Sequence, residues 1–150
     1  MGTEIERKFL VVGDGWRHLV TSRHQLVQGY LARAHGVSVR VRTIDEAEAR
    51  LTIKSGESEL NRGEFEYAIP LGDARELLDL CRPHLIEKTR HIVPASIGKW
   101  EIDVFAGRHD GLVVAEIELD REDTHFDRPE WLGAEVTGDE RYYNAVLAGY

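Results

Sequence analysis

The sequence predicts an α+β fold, mostly antiparallel β-sheet with a few helices, built as a single domain over residues 1–150. Most segments alternate apolar and polar residues with a period of two, which is typical of strands with one buried face. Helical periodicity appears only in short segments. A chain of 150 residues is near the commonest domain size, and it contains no internal repeat, low-complexity stretch or long linker that would divide it.

The alternation is clearest at residues 37–43, where Val37, Val39 and Val41 point to one side of a strand and the polar residues between them to the other. Turn-forming groups such as Ser55-Gly56 separate many of the alternating segments. About eight antiparallel strands are therefore expected. In chain order they are residues 4–12, 25–32, 37–43, 49–54, 64–69, 85–93, 99–105 and 113–119.

The helical segments are expected to pack against the sheet. They comprise residues 16–20, a segment after Asp73 and a C-terminal run after Asp139. Both aspartates suit N-cap positions, because a short carboxylate can accept the first free backbone N–H groups of a helix. Cys81 is the only cysteine, which excludes an intrachain disulfide, and its leucine-rich surroundings indicate a structural thiol on an apolar helix face.

The acidic balance of the chain argues against several functions. The formal net charge is −8, whereas general binding to nucleic acid or to an anionic membrane needs a basic surface. No apolar run reaches the roughly 20 residues of a membrane helix, and the first residues carry charges, so neither a membrane span nor a signal peptide is expected. We therefore expect a cytoplasmic protein.

Charged residues of one sign recur two or four positions apart, which places both members of a pair on the same face of a strand. At the start of the chain Glu4, Glu6 and Lys8 share one face. Like charges at this spacing repel, and the repulsion is best tolerated when a multivalent ligand of opposite sign lies between them. The carboxylate pairs therefore indicate a divalent metal, and the cationic pairs indicate a polyanion. The other pairs are Arg40 and Arg42, Arg50 and Lys54, Glu64 and Glu66, Lys88 and Arg90, Glu101 and Asp103, and Glu116 and Glu118.

Two arrangements of the sheet fit this pattern. An open sheet with one wet face explains the alternation, but a merely solvated face would mix charges of both signs. A closed barrel with a polar lumen, packed outside by the helices, would give the paired charges a use, because a barrel of roughly eight strands can enclose one small ligand. From the pattern alone both arrangements remain open.

Metal binding is expected at the carboxylate pairs. Mg²⁺ and Mn²⁺ are hard cations that take oxygen ligands, and Mg²⁺ usually binds through one or two carboxylates, waters and substrate phosphates. The alternative is that some pairs form ordinary surface salt bridges, for which Glu101 and Asp103 are the main candidates. The candidate metal ligands are Glu4, Glu6, Glu64, Glu66, Glu116 and Glu118.

Phosphate is the polyanion that suits the cationic pairs, because arginine matches phosphate oxygens bidentately. Arg50 could equally balance neighbouring carboxylates. The chain has no glycine-rich phosphate loop, no paired histidines with zinc-ligand spacing and no Gly-flanked serine nucleophile. Hydrolysis by water, assisted by a metal, is the simplest remaining chemistry. The candidate phosphate contacts are Arg40, Arg42, Arg50, Lys54, Lys88 and Arg90.

The opening Glu4-Ile-Glu-Arg-Lys8 is an E-x-E-x-K motif, and further motifs follow it in order along nearly the whole chain. A lone E-x-E-x-K motif is weak evidence, but the ordered set resembles the CYTH family, also called triphosphate tunnel metalloenzymes. The motifs are Gln28-Gly-Tyr-Leu31, Val39-Arg-Val-Arg42, Leu51-Thr-Ile-Lys54, Arg62-Gly-Glu-Phe-Glu-Tyr67, Glu87-Lys-Thr-Arg90, Trp100-Glu-Ile-Asp103, Ala115-Glu-Ile-Glu-Leu119 and Glu135-Val-Thr-Gly-Asp-Glu-Arg-Tyr-Tyr-Asn144.

The resemblance implies a closed, eight-stranded antiparallel barrel, the triphosphate tunnel, which binds triphosphate through Lys and Arg and one or two divalent ions, Mg²⁺ or Mn²⁺, through Glu. Catalytic roles are implied for Glu4, Glu6 and Lys88, with Tyr30 near Lys88 as either a catalytic or a packing residue. The implied metal ligands are Glu4, Glu6, Glu116 and Glu118, with Glu64 and Glu66 adjoining them. The implied phosphate contacts are Lys8, Arg40, Arg42, Lys54, Lys88 and Arg90.

Within the family, the short chain and its opening resemble the inorganic triphosphatases. This implies metal-dependent hydrolysis of tripolyphosphate to pyrophosphate and phosphate, by a homodimer. The alternatives are a class IV-type adenylyl cyclase, a thiamine triphosphatase or nucleoside triphosphatase, and a non-catalytic polyphosphate or nucleotide sensor. We also expect residues 135–140 to close one mouth of the tunnel against bulky nucleotides, and Trp131 before them to have a packing role.

Overall fold

The structure is a computed structural model that describes residues 2–58 and 61–149, apart from the side chains of Glu4, Glu57, Ser58 and Asn61. The α-helices of this part are α1 (Leu71–Cys81) and α2 (Asn144–Leu147), and 3₁₀ turns cover Arg17–Leu19, Gly107–His109 and Glu140–Tyr142. The predicted fold class, mostly antiparallel sheet with a few helices, is confirmed. The strands are β1 (Gly2–Glu4), β2 (Glu6–Val11), β3 (Ser22–Ala34), β4 (Val37–Ile44), β5 (Glu48–Ser58), β6 (Asn61–Ala68), β7 (Leu85–Pro94), β8 (Lys99–Phe105), β9 (Val113–Glu118) and β10 (Leu132–Glu135).

These strands form one antiparallel sheet in the order β1-β6-β5-β4-β3-β7-β8-β9-β2-β10. The N-terminal segment takes part twice, because it breaks at Ile5: β1 pairs with β6, and β2 pairs with β9 near the other edge. The edges are β1 and β10, and no hydrogen-bonded pairing joins them within the described residues. The sheet is therefore not closed by hydrogen bonds, and the closed barrel is not confirmed.

The observed strands differ from the expected set in two places. Residues 4–12 are predicted as one strand but comprise the last residue of β1 and the whole of β2, since the segment changes partner at Ile5. The sequence does not predict β10, because four residues that include Gly133 are too few to show a period. These four residues form a strand because they pair with β2, where Leu132 lies opposite Val11.

Two clusters of apolar side chains pack on the outer face of the sheet, and a third, which includes Tyr30, Phe105 and Ala145, adjoins the cavity on its inner face. The rings of Phe9 and Trp100 meet edge to face with centroids 5.8 Å apart, and Trp131 packs on Trp100 at 5.5 Å, which confirms a packing role for Trp131. Elsewhere α1 covers the outside of β4, where Val41 and Cys81 belong to one buried cluster. The structural role predicted for the Cys81 thiol is therefore confirmed.

The predicted helices are shorter or begin elsewhere. The N-cap of α1 is Pro70, so the predicted capping by Asp73 is wrong; Asp73 lies in the first turn, where its carboxylate still interacts favourably with the helix dipole. Asp139 does cap, because its carboxylate accepts a hydrogen bond from Arg141 N at 3.1 Å, but it caps the 3₁₀ turn before α2. Residues 16–20 contain only a 3₁₀ turn. Within the described ranges, no helix has the length and apolar character needed to cross a membrane.

Candidate active site

A polar cavity of about 910 Å³ lies on the inner face of the sheet and takes residues from every strand between β1 and β9 and from the segment around α2. Neighbours in a strand face opposite sides, so the burial of Val41 under α1 turns Arg40 and Arg42 into the cavity. The same alternation places most of the other paired charges there, although Arg50 and Asp103 are not part of the lining. The charged lining residues are Glu6, Arg33, Arg40, Arg42, Lys54, Arg62, Glu64, Glu66, Lys88, Arg90, Glu101, Glu116, Glu118 and Glu140.

Most of the predicted site residues are therefore brought together, and Tyr30 also lines the cavity. Lys8 is an exception, because it lies buried beside the cavity and is not part of its lining. Its Nζ atom donates to the backbone oxygen of Tyr142 at 3.1 Å and lies 3.8 Å from Glu116 Oε1. The side chain of Glu4 falls outside the described residues, so its predicted role stays a prediction.

The cationic half of the cavity is built around a buried carboxylate, Asp103, which is 2% exposed. Asp103 accepts from Arg90 Nε at 2.8 Å and Nη2 at 2.9 Å, and its Oδ2 lies 2.6 Å from Lys88 Nζ. Arg90 also contacts Glu101 at 2.7 Å. Glu101 and Asp103 thus form ion pairs, as one of the two sequence interpretations has it, but Asp103 does so in the interior and not at the surface.

Burial and charge shift the pKa values of this cluster. Desolvation lowers the pKa of Lys88 to about 7, although Asp103 opposes the shift. Burial alone would raise the pKa of Asp103, but Arg90 and Lys88 outweigh it and hold that pKa far below its usual range. Asp103 is therefore an internal counterion that stays ionised, and Lys88 can exchange a proton near neutral pH.

Arg40 and Arg42 extend the cationic half along β4. Desolvation, together with the charges of Arg40 and Arg90, lowers the pKa of Arg42 to about 9. Arg40 Nη2 donates to Thr52 Oγ1 at 3.3 Å, while its buried Nε has no hydrogen-bond partner among the described residues. A buried donor without a partner and a crowd of like charges both favour a bound anion.

The acidic half is centred on Glu6 and Glu116, both at least nine-tenths buried. Desolvation raises the pKa of Glu116, and the neighbouring charge of Glu6 raises it further. Arg62 approaches Glu6 Oε1 to 3.5 Å and so balances part of this charge. Within the described side chains, no three Asp, Glu, His or Cys groups converge closely enough to hold an ion by themselves. The repulsion between Glu6 and Glu116 nevertheless fits a divalent cation that also takes ligands from water or substrate.

Glu64 and Glu66 bring carboxylates from the opposite wall. Glu64 lies 4.0 Å from Lys54 Nζ, and Glu66 accepts from Thr52 Oγ1 at 3.3 Å. Arg50 does not line the cavity; it contacts Glu66 at 3.7 Å as well as Glu48, so its charge balances carboxylates, as the second sequence interpretation has it.

The C-terminal segment supplies residues that the sequence does not single out. Tyr143 and Asn144 line the cavity, and Asn144 Oδ1 accepts from Lys88 Nζ at 2.8 Å and from the buried Gln28 at 3.4 Å. Glu135 instead pairs with Arg7 at 2.8 Å, away from the cavity. Of the expected segment 135–140, Glu140 lines the cavity, and the lining continues with Tyr143, Asn144 and Ala145. The sequence does contain a signal for Gln28, because this polar residue lies on the same face of β3 as the predicted site residue Tyr30.

The chain is similar to known proteins over almost its whole length. The CYTH domain family matches residues 2–143. An inorganic triphosphatase of Acetivibrio thermocellus is 44% identical over 148 residues, which cover 98% of this chain and 94% of that protein. An inorganic triphosphatase of Nitrosomonas europaea is 40% identical over 152 residues, covering 97% of each. A crystal structure of an inorganic triphosphatase matches with a TM-score of 0.69 and 36% identity, covering 99% of this chain and 95% of the other.

Proposed function

The chain belongs to the CYTH family, and from this premise we propose that it hydrolyses inorganic triphosphate to pyrophosphate and phosphate with the help of a divalent cation. The observation that carries the proposal is that one cavity collects the cations of β4, β5 and β7 and the carboxylates of β2, β6 and β9, with Arg40, Lys88, Glu6 and Glu116 buried among them. A metal–polyphosphate complex has the complementary division of charge. Phosphoryl transfer asks a protein mainly for positioning and charge stabilisation, which this arrangement can provide.

The cationic half of the cavity would bind the substrate. Arg40, Arg42 and Arg90 face the cavity and match phosphate oxygens through their forked guanidinium groups. Lys54 and Lys88 add point charges. Burial and mutual repulsion disfavour the charged forms of Arg42 and Lys88, which lowers the pKa values of both. A bound polyanion would stabilise those charged forms.

The carboxylates of the cavity would hold one or two Mg²⁺ or Mn²⁺ ions, and the proposal assigns catalytic roles to Glu4 and Glu6 of the E-x-E-x-K motif. When bound, such an ion neutralises phosphate charge and makes water more acidic, which favours in-line attack by water on a terminal phosphorus. The proposed ligands are Glu4, Glu6, Glu64, Glu66, Glu116 and Glu118. Lys8 lies 3.8 Å from Glu116 but outside the cavity lining, so it would contribute positive charge without contacting the phosphate directly.

Lys88 is proposed to assist the leaving pyrophosphate. Its pKa of about 7 allows it to donate a proton or to offer a full charge to the leaving oxygen. Within residues 2–58 and 61–149 no hydrogen bond joins Lys88 to Tyr30, whose side chain packs with Phe105 and lines the cavity. We assign the proton to Lys88 and a packing role to Tyr30.

We further propose that the sheet acts as a tunnel. The two strands β1 and β2 are consecutive and separated by Ile5, and they pair with β6 and β9 respectively. One continuous segment of chain therefore connects the two sides of the cavity. This supports a tunnel whose wall is completed by the covalent backbone at Ile5.

Product analysis tests the proposed function. Tripolyphosphate, ATP and thiamine triphosphate are each incubated with purified protein in Mg²⁺, in Mn²⁺ and in chelator. Metal-dependent release of equal amounts of phosphate and pyrophosphate, fastest from tripolyphosphate, is expected. Pyrophosphate with a cyclic nucleotide and no orthophosphate would identify a cyclase, and binding without turnover would identify a sensor.

A pair of variants links the activity to the cavity. Glu6→Gln is expected to abolish turnover and leave the circular dichroism spectrum unchanged, because Glu6 lies in the acidic half. Glu48→Gln is the matched control, since Glu48 is exposed, lies outside the cavity lining and forms an ion pair with Arg50. Light scattering on the same preparations tests the homodimer implied by the resemblance.

A further inference from the structure

Two amide side chains connect two of the cavity's cations. Arg42 Nε donates to Gln28 Oε1 at 2.8 Å, and Lys88 Nζ donates to Asn144 Oδ1 at 2.8 Å. Gln28 Nε2 donates to the same oxygen of Asn144 at 3.4 Å. Gln28 is completely buried. We call this continuous chain of hydrogen bonds, Arg42–Gln28–Asn144–Lys88, the amide relay.

The amide relay has only one workable direction. Guanidinium and ammonium groups are donors only, so each cation must meet an amide oxygen. With its oxygen on Arg42, Gln28 can offer only N–H groups to Asn144. Asn144 must then present its oxygen to both Gln28 and Lys88. Turning either amide over would set a donor against a donor in a buried site, which costs about 1–3 kcal/mol.

The relay also selects the N–H groups that remain for a ligand. A lysine ammonium has three, and Asp103 and Asn144 accept two of those of Lys88 at 2.6 and 2.8 Å. Arg42 engages the relay through Nε, so its two terminal amino groups have no hydrogen bond in the part of the chain that the structure describes. One N–H of Lys88 and the outer edge of Arg42 are thereby left for phosphate oxygens.

We propose that Gln28 and Asn144 are positioning residues that hold Arg42 and Lys88 at a fixed spacing and orientation toward one triphosphate. The proposal rests on the proposed function and deepens it. Burying the amide of Gln28 is a poor way to gain stability, since an apolar side chain of similar volume has no polar groups to satisfy. Ending both amides on cations of the site is a good way to orient those cations. Asn144 lies 116 residues from Gln28 in the chain, so the C-terminal segment completes the site as well as covering it.

A double-mutant cycle on tripolyphosphate hydrolysis tests the relay. The variants are Gln28→Met, Asn144→Leu and the double substitution, with Gln25→Met, at an exposed position of the same strand, as the matched control. Each single variant is expected to lower kcat about 10- to 100-fold with KM changed less than about threefold, because misplaced charge acts on the transition state. The double variant is expected to lose no more than about the worse single variant, because either change breaks the same relay. Losses that multiply would overturn the proposal.

Single-atom variants test the direction of the relay and keep the proposal falsifiable if the apolar variants fail to fold. Asn144→Asp keeps an oxygen for both donors, so it should lose less kcat than Asn144→Leu, while its added carboxylate should raise the KM for triphosphate by repulsion. Gln28→Glu keeps the acceptor for Arg42 but has no N–H for Asn144, so it should lose kcat about as much as Gln28→Met. Equal kcat for these two variants would overturn the proposal.

Failure of the relay and failure of the proposed function give different results. If wild-type protein does not release phosphate, the proposed function fails, whatever the variants do. If wild type is active and both Gln28→Met and Asn144→Leu keep its kcat, only the relay fails. Melting temperatures of all variants, measured alongside, show whether a loss of kcat follows a loss of folded protein.

Discussion

Replacing Asp103 by asparagine should destabilise the protein strongly, although the two side chains have the same size. The carboxylate makes three charge-assisted contacts with donor-only groups, at 2.6 Å with Lys88 and at 2.8 and 2.9 Å with Arg90. An amide nitrogen in place of one oxygen faces a donor, so at least one contact is lost and turned repulsive. Removing one partner of a buried ion pair typically costs about 3–5 kcal/mol. Glu101 still pairs with Arg90, which places the expected loss near the lower end, about 3 kcal/mol.

The effect should depend on pH in a definite direction. The folded-state pKa of Asp103 lies below its ordinary value of 3.8, because Arg90 and Lys88 stabilise the carboxylate. A carboxylate with a lowered pKa contributes stability that is fully present above the unfolded pKa and is lost as the pH falls through the folded pKa. The difference in stability between wild type and Asp103→Asn should therefore shrink below about pH 4, and it should also shrink as the pH rises through about 7, because Lys88 then loses the proton that pairs it with Asp103.

Urea denaturation followed by circular dichroism measures both quantities. Asp110→Asn is the matched control, since Asp110 is exposed in the loop after β8 and its substitution should change the free energy of unfolding by less than about 0.5 kcal/mol. A loss below about 1 kcal/mol for Asp103→Asn, or a loss that does not shrink at low pH, would refute the assignment of Asp103 as the counterion of the cationic half.

Two further substitutions test the packing and the acidic half. Gly29→Ala would place a Cβ 2.6 Å from Cys81 Cβ and 2.8 Å from Leu85 Cδ2, so thermal denaturation should show a loss of about 1–3 kcal/mol in the free energy of unfolding. Gly72→Ala is the control, because Gly72 faces open space on α1 and its substitution should be neutral or stabilising. Equal effects of the two substitutions would contradict the close approach of β3 to α1. Glu116→Gln removes a carboxylate whose pKa is raised by burial and by the charge of Glu6, so the melting temperature in chelator should rise. The affinity for Mn²⁺, measured by titration, and the turnover should both fall. A lower melting temperature in chelator would count against repulsion between Glu6 and Glu116.

The residues of the cavity were largely predictable because strand alternation is a local property. Once Val41 is assigned to the buried face, Arg40 and Arg42 must share the opposite one. The same reasoning places Glu116 and Glu118 together in the cavity. Lys8 follows this rule only in part, because it lies on the correct strand but is buried next to Glu116.

The contacts across the cavity were not predictable from local pattern. Asp103 stands opposite Arg90 because of the register between β7 and β8, and a charge pair two residues apart carries no information about that register. Asn144 reaches Lys88 from the C-terminal segment, where the sequence suggests only a helix. The change of partner at Ile5 is likewise invisible in a segment whose alternation continues without a break.

The amino-acid sequence alone was enough to predict a mostly antiparallel sheet, a polar face of paired charges and an ordered set of motifs that places the chain in its family. These features depend on residue type and on a period of two, both of which are local properties of the chain. The fold is needed to show which charges neutralise one another and which are left for a ligand. That choice depends on strand register and on segments more than 100 residues apart, because Coulomb and hydrogen-bond energies in a buried cavity are set by distances between side chains and not by their order in the chain.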